Sequence, residues 1–361
     1  MTGIGEIPLT AVGAGGAAAL FDAHADRAAA LIETALRSHP FLPTAAAVAD
    51  RFSKRWLERQ RNPYLDEISH IAARLGRPGV YFFNIVYEWA CSTSAAPDPA
   101  GAGARLIRVL DWGLTGIGRY VVIARHETTC GAFYNATWPG YAGVLTAMAP
   151  GRFAAAINQA PRLPIFGPRW LDEVAGRLRM LRQDGAIPAA HLLRRVFEEA
   201  RDYEAAVAML ADERHRLAMP ALFVVSGTTA DEACVIEAIA CQRRLHRARP
   251  ADGFTIGVAN DWLSGDLAGV PRRHAVEWSA TASPRENNRV RRSNVCALQR
   301  GRFDGAAHLA APVLNGHTVL VAAANAASGD MMVEALDPVP GAGKLPRVVA
   351  RRELRHASAG A

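Results

Sequence analysis

Phe83-Asn84-Ile85-Val86-Tyr87-Glu88-Trp89-Ala90-Cys91-Ser92-Thr93-Ser94 is the stretch on which the reading of this chain turns. An apolar run ends on the small residue Ala90, a thiol follows at once, and a row of small hydroxyl residues follows the thiol. Most free cysteines are buried among apolar neighbours. The polar, small-residue setting of Cys91 argues instead for a chemical role. Seventeen residues further on stands Arg108, in the strand-like segment Leu106-Ile107-Arg108-Val109-Leu110-Asp111. A lone arginine in such a segment needs a partner if it is buried. Arg108 and Asp111 are three apart, so a regular strand sends them to opposite faces. A bulge or a strand end is needed if both are to reach the thiol.

The pattern changes on either side of Cys91. Before it, residues 17–37 and 43–60 read as amphipathic helices split by Pro40 and Pro43, and a third helix runs from Pro63 to Gly76. After it, Leu106–Leu110, Tyr120–His126, Gly131–Asn135, Tyr141–Met148 and Phe153–Asn158 read as strands. Trp170–Ala218 turns helical. Strands return at Ala221–Ser226, Val235–Ile239 and Thr255–Ala259, a helix follows over Asn288–Leu298, and His317–Asn325 and Met331–Leu336 close the pattern. Strands, a helical block and strands again suit an α+β fold in which sheets lie between helical layers.

The bulk numbers exclude several classes. The chain has 361 residues, enough for one large domain or two, and half of them are hydrophobic. Its net charge is +7, with Arg far outnumbering Lys, but no basic run interleaves with aromatics, which speaks against nucleic acid. The Arg-rich run Arg347–Arg355 reads as a solvated, frayed end, with contact to an acidic lipid surface as the other reading. No apolar window reaches the ~18 residues of a membrane span, and Met1–Leu9 lack the basic start of a secretion signal. The five cysteines, 91, 130, 234, 241 and 296, are odd in number and lack paired short spacings. Reduced thiols in a cytoplasmic protein are expected, with no metal and no cofactor.

Seven ordered segments together resemble the acid ceramidase and N-acylethanolamine-hydrolysing acid amidase group of the choloylglycine hydrolase set. They are Asn84–Glu88 ahead of Cys91–Ser94, Arg108–Asp111, Trp138–Thr146, Tyr203–Val207, Val225–Thr228, Ala259–Trp262, and Pro312–Asn315 with Thr318-Val319. The resemblance implies an N-terminal-nucleophile hydrolase: an αββα sandwich over residues 91–361, with residues 1–90 as a helical α-subunit or propeptide. It implies self-cleavage before Cys91, whose freed α-amine then serves as base for its own thiol. It also implies hydrolysis of a linear N-acyl amide, with a fatty or aryl acyl group, through a Cys91 thioester. The partners are then that small-molecule amide and the chain's own α-subunit. An acyltransferase of the isopenicillin-N-acyltransferase kind and an uncleaved homologue that only binds lipid or a partner are the alternatives.

Residue by residue, the resemblance gives Arg108 the task of polarising the site and Asp111 that of holding the α-amine. It makes Asn260 an oxyanion donor, although spacing alone favours a turn residue. Asn158 is a second oxyanion candidate. Arg289 is the preferred second site arginine, with Arg273 as the rival. Trp138, Tyr141, Glu88 and Gln159 fall to substrate binding. Gln159 stands where the acid amidases carry Glu. Since Gln cannot titrate, activity near neutral pH is expected.

Overall fold

The computed structural model describes residues 3–37, 42–85, 89–114, 116–161, 182–267, 283–339 and 344–355. Strands are numbered in chain order. One sheet runs, in spatial order, β1 (Gly5–Glu6), β17 (Arg347–Leu354), β16 (Asp330–Asp337), β15 (Thr318–Asn325), β4 (Ala104–Trp112), β3 (Trp89–Pro97) and β14 (Ile256–Val258). The other runs β13 (Gln242–Arg247), β12 (Ala233–Ile239), β11 (Ala221–Ser226), β8 (Phe153–Gln159), β7 (Thr146–Ala149), β6 (Gly131–Thr137), β5 (Val122–Thr128) and β2 (Leu9–Ala11). A short parallel pair, β9 (Ala186–Ile187) and β10 (Arg216–Leu217), lies apart.

The two sheets pack face to face, with β3 over β8 and β11. Helices α6 (Ala189–Glu199) and α7 (Tyr203–Ala211) cover the second sheet at β8, β11 and β12, and α8 (Pro284–Ala297) covers the first at β3 and β14. Each central strand is therefore buried on both faces. That is why β4, β8 and β11 are buried from end to end instead of alternating with solvent. Pleating then sorts the residues of β3. Thr93 points between the sheets to Asn158, and Ser94 points outward, its hydroxyl donating to Val295 O of α8.

The N-terminal segment carries α1 (Gly16–Ala23), α2 (Ala25–Arg37), α3 (Leu42–Arg59), α4 (Leu65–Leu75) and α5 (Val80–Phe83). Gly76 ends α4 in the left-handed region, its N–H returning to Ala72 O. The single helix expected over 17–37 is two, broken at His24. The segment is also less purely helical than expected. Its β1 pairs in parallel with β17 and its β2 with β5, so it adds an edge strand to each sheet.

Two further expectations are corrected. Arg347–Arg355 is no frayed end: Arg347–Leu354 is β17, antiparallel to β16, and two of its arginines are engaged. Arg351 pairs with Glu334 and Glu353, and Arg352 with Glu6. The strand expected from Tyr141 begins only at Thr146, because Tyr141 and its neighbours turn into the core. In the block expected to be helical from Trp170, residues 170–181 lie outside the described residues. The helices observed there are α6 and α7, flanked by β9 and β10.

Candidate functional site

Cys91 lies near the start of β3, where the chain leaves the N-terminal helices and joins the first sheet. Cys91 faces Leu110 across the β3–β4 ladder, Thr93 faces Arg108, and Ala90 faces Asp111. Cys91, Thr93 and Arg108 therefore share the inner face. The thiol is fully buried and donates to Ile157 O at 3.7 Å. Burial pushes its pKa up. The Arg108 guanidinium opposes that most strongly, with the Gln159 main-chain N–H and Arg291 acting in the same direction, while Asp111 adds to the rise.

Arg108 has no exposure at all. Its Nη1 donates to Thr93 Oγ1 at 3.0 Å and to Asn158 Oδ1, both neutral acceptors. Its Nε and Nη2 have no hydrogen-bond partner among the described residues. Burial presses its own pKa down, and the Cys91 thiol is the foremost group that resists this. A buried cation is thus held against the thiol by neutral neighbours.

Asp111 takes the other face, as the three-residue spacing requires. Its Oδ2 meets Arg291 Nη2 at 2.8 Å, and its Oδ1 accepts from Thr318 Oγ1 at 2.7 Å. The register of β15 slips between Thr318 and Leu320, opposite Asp111 and Leu110. The bulge therefore sits on the neighbouring strand, and it brings the Thr318 hydroxyl to the carboxylate. Burial raises the Asp111 pKa, and Arg291, Thr318 and Asn315 pull it back.

Asn260, just beyond β14, joins the two faces. Its Oδ1 accepts from the Cys91 main-chain N at 3.0 Å and from Arg291 Nη1 at 3.1 Å, and its Nδ2 donates to Gln159 O at 2.8 Å. Asn288 of α8 donates to Asn260 O at 3.2 Å. Asn158 spends both amide hydrogens on Val258 O (3.1 Å) and Ala259 O (2.8 Å). It holds β14 and Arg108 in place and has no hydrogen left for an oxyanion. The Gln159 side chain accepts from Trp89 N at 3.1 Å, two residues before the thiol.

Of the expected residues, Asn260 bonds the Cys91 nitrogen and Arg108 shares the face of the thiol, while Asn158, Gln159 and Asp111 hold Arg108, Trp89 and Arg291 around them. Arg289 takes no part. Its guanidinium is exposed and pairs with Glu286, one turn back on α8. The buried stripe of that helix is Asn287, Asn288, Arg291 and Val295, so Arg291 reaches the site and Arg289, two positions away, points to solvent. Arg273 and Glu88 lie outside the described residues. Ser283 caps the helix by accepting from Glu286 N at 3.2 Å, and Pro284 opens it; together these set the phase.

Trp138 and Tyr141 are buried core residues. Trp138 packs edge-on to Trp112 at 5.2 Å and donates its indole N–H to Ile117 O, while Tyr141 meets Phe83 at 5.3 Å. With Trp89, itself edge-on to Trp112 at 5.9 Å, they form an aromatic cluster that reaches the residue before Ala90. Of the polar partners that the sequence reading missed, Thr93 was within reach: it lies two residues from Cys91, on the same face of a strand. Among the described residues no group of three metal-ligating side chains occurs, and no helix is long and apolar enough to cross a membrane.

Two sheets packed between helical layers make the fold an αββα sandwich, as the resemblance implies. The chain is similar in structure to a Caenorhabditis elegans N-acylethanolamine-hydrolyzing acid amidase ortholog, with a TM-score of 0.50 and 18% identity over 66% of this chain and 93% of that one. It also matches a penicillin V acylase from Agrobacterium tumefaciens (TM-score 0.37, 12% identity, 69% of this chain and 84% of that one). A mutant conjugated bile acid hydrolase from Clostridium perfringens matches with a TM-score of 0.39 and 10% identity, over 74% of this chain and 97% of that one. No protein-family model matches the sequence, and no curated protein is significantly similar to it. At 18% identity, the likeness to the acid amidase ortholog speaks for the fold alone.

Proposed function

We propose that this protein is a cysteine amidohydrolase that cuts its own chain before Cys91 and then hydrolyses a linear N-acyl amide through a thioester on that residue. One observation carries the reading: a fully buried guanidinium, Arg108, stands against the Cys91 thiol with only neutral hydrogen-bond partners. Such a charge is costly unless an anion forms beside it. A thiolate, or the oxyanion that a thiolate makes on attacking a carbonyl, is that anion.

In the uncut chain the carbonyl joined to the Cys91 nitrogen is that of Ala90. Attack by the thiol and release of the Cys91 nitrogen would give a thioester. Water then frees the Ala90 carboxylate and leaves Cys91 with an α-amine. Asn260 Oδ1 already accepts from that nitrogen, and Arg291 and Asp111 brace Asn260 from behind. In turnover the amine takes the thiol proton and returns it to the leaving amine of the substrate. One Asn260 amide hydrogen is spent on Gln159 O; the other is the side-chain donor offered to the oxyanion. Residues 1–90 would remain as an α-subunit beside the catalytic residues 91–361. The free thiols of all five cysteines fit a cytoplasmic protein.

Intact mass of the purified protein tests the first step. Two pieces are expected, one beginning at Cys91, and a single uncut chain from Cys91→Ala. A β-lactone should label Cys91 of the larger piece and block hydrolysis of a fluorogenic N-acyl amide. Cutting that persists in Cys91→Ala overturns the reading.

A further inference from the structure

We propose that Glu237 is a positioning residue that pins the loop carrying Asn260, and through it fixes the main-chain nitrogen of Cys91. The inference rests on the amidohydrolase reading above. Glu237 belongs to β12 of the second sheet, in the otherwise apolar run Ala233-Cys234-Val235-Ile236-Glu237-Ala238-Ile239. Its side chain has no exposure. A carboxylate at such a place is costly unless its lone pairs are filled.

The loop fills them. Oε1 accepts from the main-chain N–H of Leu263 and of Ser264, the latter at 3.2 Å; Oε2 accepts from the Ser264 hydroxyl and lies 3.0 Å from His246 Nε2 of β13. Leu263 and Ser264 follow Asn260 by three and four residues. The chain here leaves β14, at the edge of the first sheet, and crosses to β12 in the second. Asp261 anchors the same crossing to α8, 2.9 Å from Arg292. Asn260 is thus tied on one side by Asn288 and Arg291, and the strand of loop beyond it is tied by Glu237. Three loop donors converge on one carboxylate, an arrangement that fixes backbone position, whereas an apolar residue would only fill space.

A carboxylate that merely stabilised the fold would change stability and leave the chemistry of processed molecules alone. One that aims Asn260 should change the rate, and only while Asn260 has an amide to aim. The test is a double-mutant cycle with E237Q, N260A and the double variant, each read as self-cleavage half-time and as single-turnover acylation by a fluorogenic N-acyl coumarin amide, per folded molecule. E237Q should slow both steps roughly 10-fold with KM nearly unchanged, since misplacement of about 1 Å can cost up to ~10²-fold. Added to N260A it should slow them less than about 2-fold. S264A, which removes one hydroxyl and leaves both backbone bonds, should give the same pattern at smaller size and serves if E237Q does not fold. Equal slowing by E237Q with and without Asn260, or a lower melting temperature at unchanged rates, overturns the inference while leaving the amidohydrolase intact. A wild-type chain that neither cuts itself nor turns over the amide sinks both.

Discussion

Arg291 Nη2 and Asp111 Oδ2 meet at 2.8 Å with both side chains buried, on the outer face of the first sheet. Arg108 occupies the inner face, between the sheets. The strand β4 thus separates two charged groups with different tasks. Arg108 faces the thiol, while Arg291 and Asp111 brace Asn260 and, through it, the nitrogen of Cys91. In the proposed mechanism a nucleophile that is its own base needs both its sulfur and its nitrogen held, and the two faces of one strand divide the work.

The first prediction follows from that pair. Arg291→Ala leaves a buried carboxylate alone, and breaking a buried pair by removing one partner typically costs ~3–5 kcal/mol. The variant should lose stability by that order in chemical denaturation and should fail to cut itself. Arg289→Ala removes only an exposed pairing with Glu286 and should match the wild type in both measurements. If instead Arg289→Ala is the inactive variant, the placement of α8 is wrong.

Asn260→Ala removes the acceptor of the Cys91 N–H together with an amide donor. Loss of one oxyanion donor typically lowers the rate ~10²–10³-fold. Thioester formation in a single turnover should fall by that factor, with binding of a non-hydrolysable analogue nearly intact. A wild-type rate would make Asn260 a turn residue only.

Much of this site was legible in the sequence, and the exceptions have physical causes. Cys91, Arg108, Asp111, Asn158, Gln159 and Asn260 stood out through the resemblance of ordered segments, and they lie on strands or just past their ends; spacing alone favoured a turn residue at Asn260. Arg289 was misplaced because helix phase separates it from Arg291 by two positions; the four-residue spacing Asn287, Arg291, Val295 held the answer. Trp138 and Tyr141 look the same in sequence whether they line a cleft or fill a core. The strand Arg347–Leu354 was hidden because Arg351 and Arg352 are neutralised by Glu334 and Glu6, residues that are distant in the chain. The edge strands β1 and β2 are two and three residues long, and only their non-local partners make them strands.

Acid should weaken the fold. Burial pushes the pKa of His126 and that of His191 down to about 3, from the ordinary 6.5. Both are then neutral in the folded chain at pH 5, where the unfolded chain would bind a proton at each. Stability is therefore greatest above pH 6.5 and falls as pH drops from 6.5 toward 3, by up to ~1.4 kcal/mol per pH unit for each group. His191 Nδ1 lies 2.9 Å from Asn62 Nδ2, so the loss bears on the contact between the N-terminal segment and α6. Denaturant midpoints at pH 7.5, 6 and 4.5 should decline in that order, and less steeply in His191→Asn. A midpoint that rises toward pH 4.5 would contradict the burial of these rings. Gln159 holds Trp89 N through a side chain that does not titrate.

The last prediction concerns the thiol itself. In the uncut chain Cys91 is fully buried, and burial pushes its pKa up. It should resist iodoacetamide until the chain is cut, and then react at a rate set by how much thiolate is present. Arg108 is the foremost group favouring that thiolate, and its other partners, Thr93 and Asn158, are neutral. Arg108→Gln keeps hydrogen-bond donors near both partners and removes the charge. In processed protein it should move the pH midpoint of alkylation upward and lower the rate at pH 7 about 10-fold for each unit moved. Cutting should slow as well, because the same thiolate attacks the Ala90 carbonyl. Asp111→Asn removes an anion that raises the thiol pKa, so by itself it should move the midpoint the other way. Opposite shifts in the two variants, at matched folding, are the outcome expected of a thiol poised between one cation on its own face of β4 and one anion on the other. Shifts of the same sign would show that the variants act through the packing of β4 and not through charge.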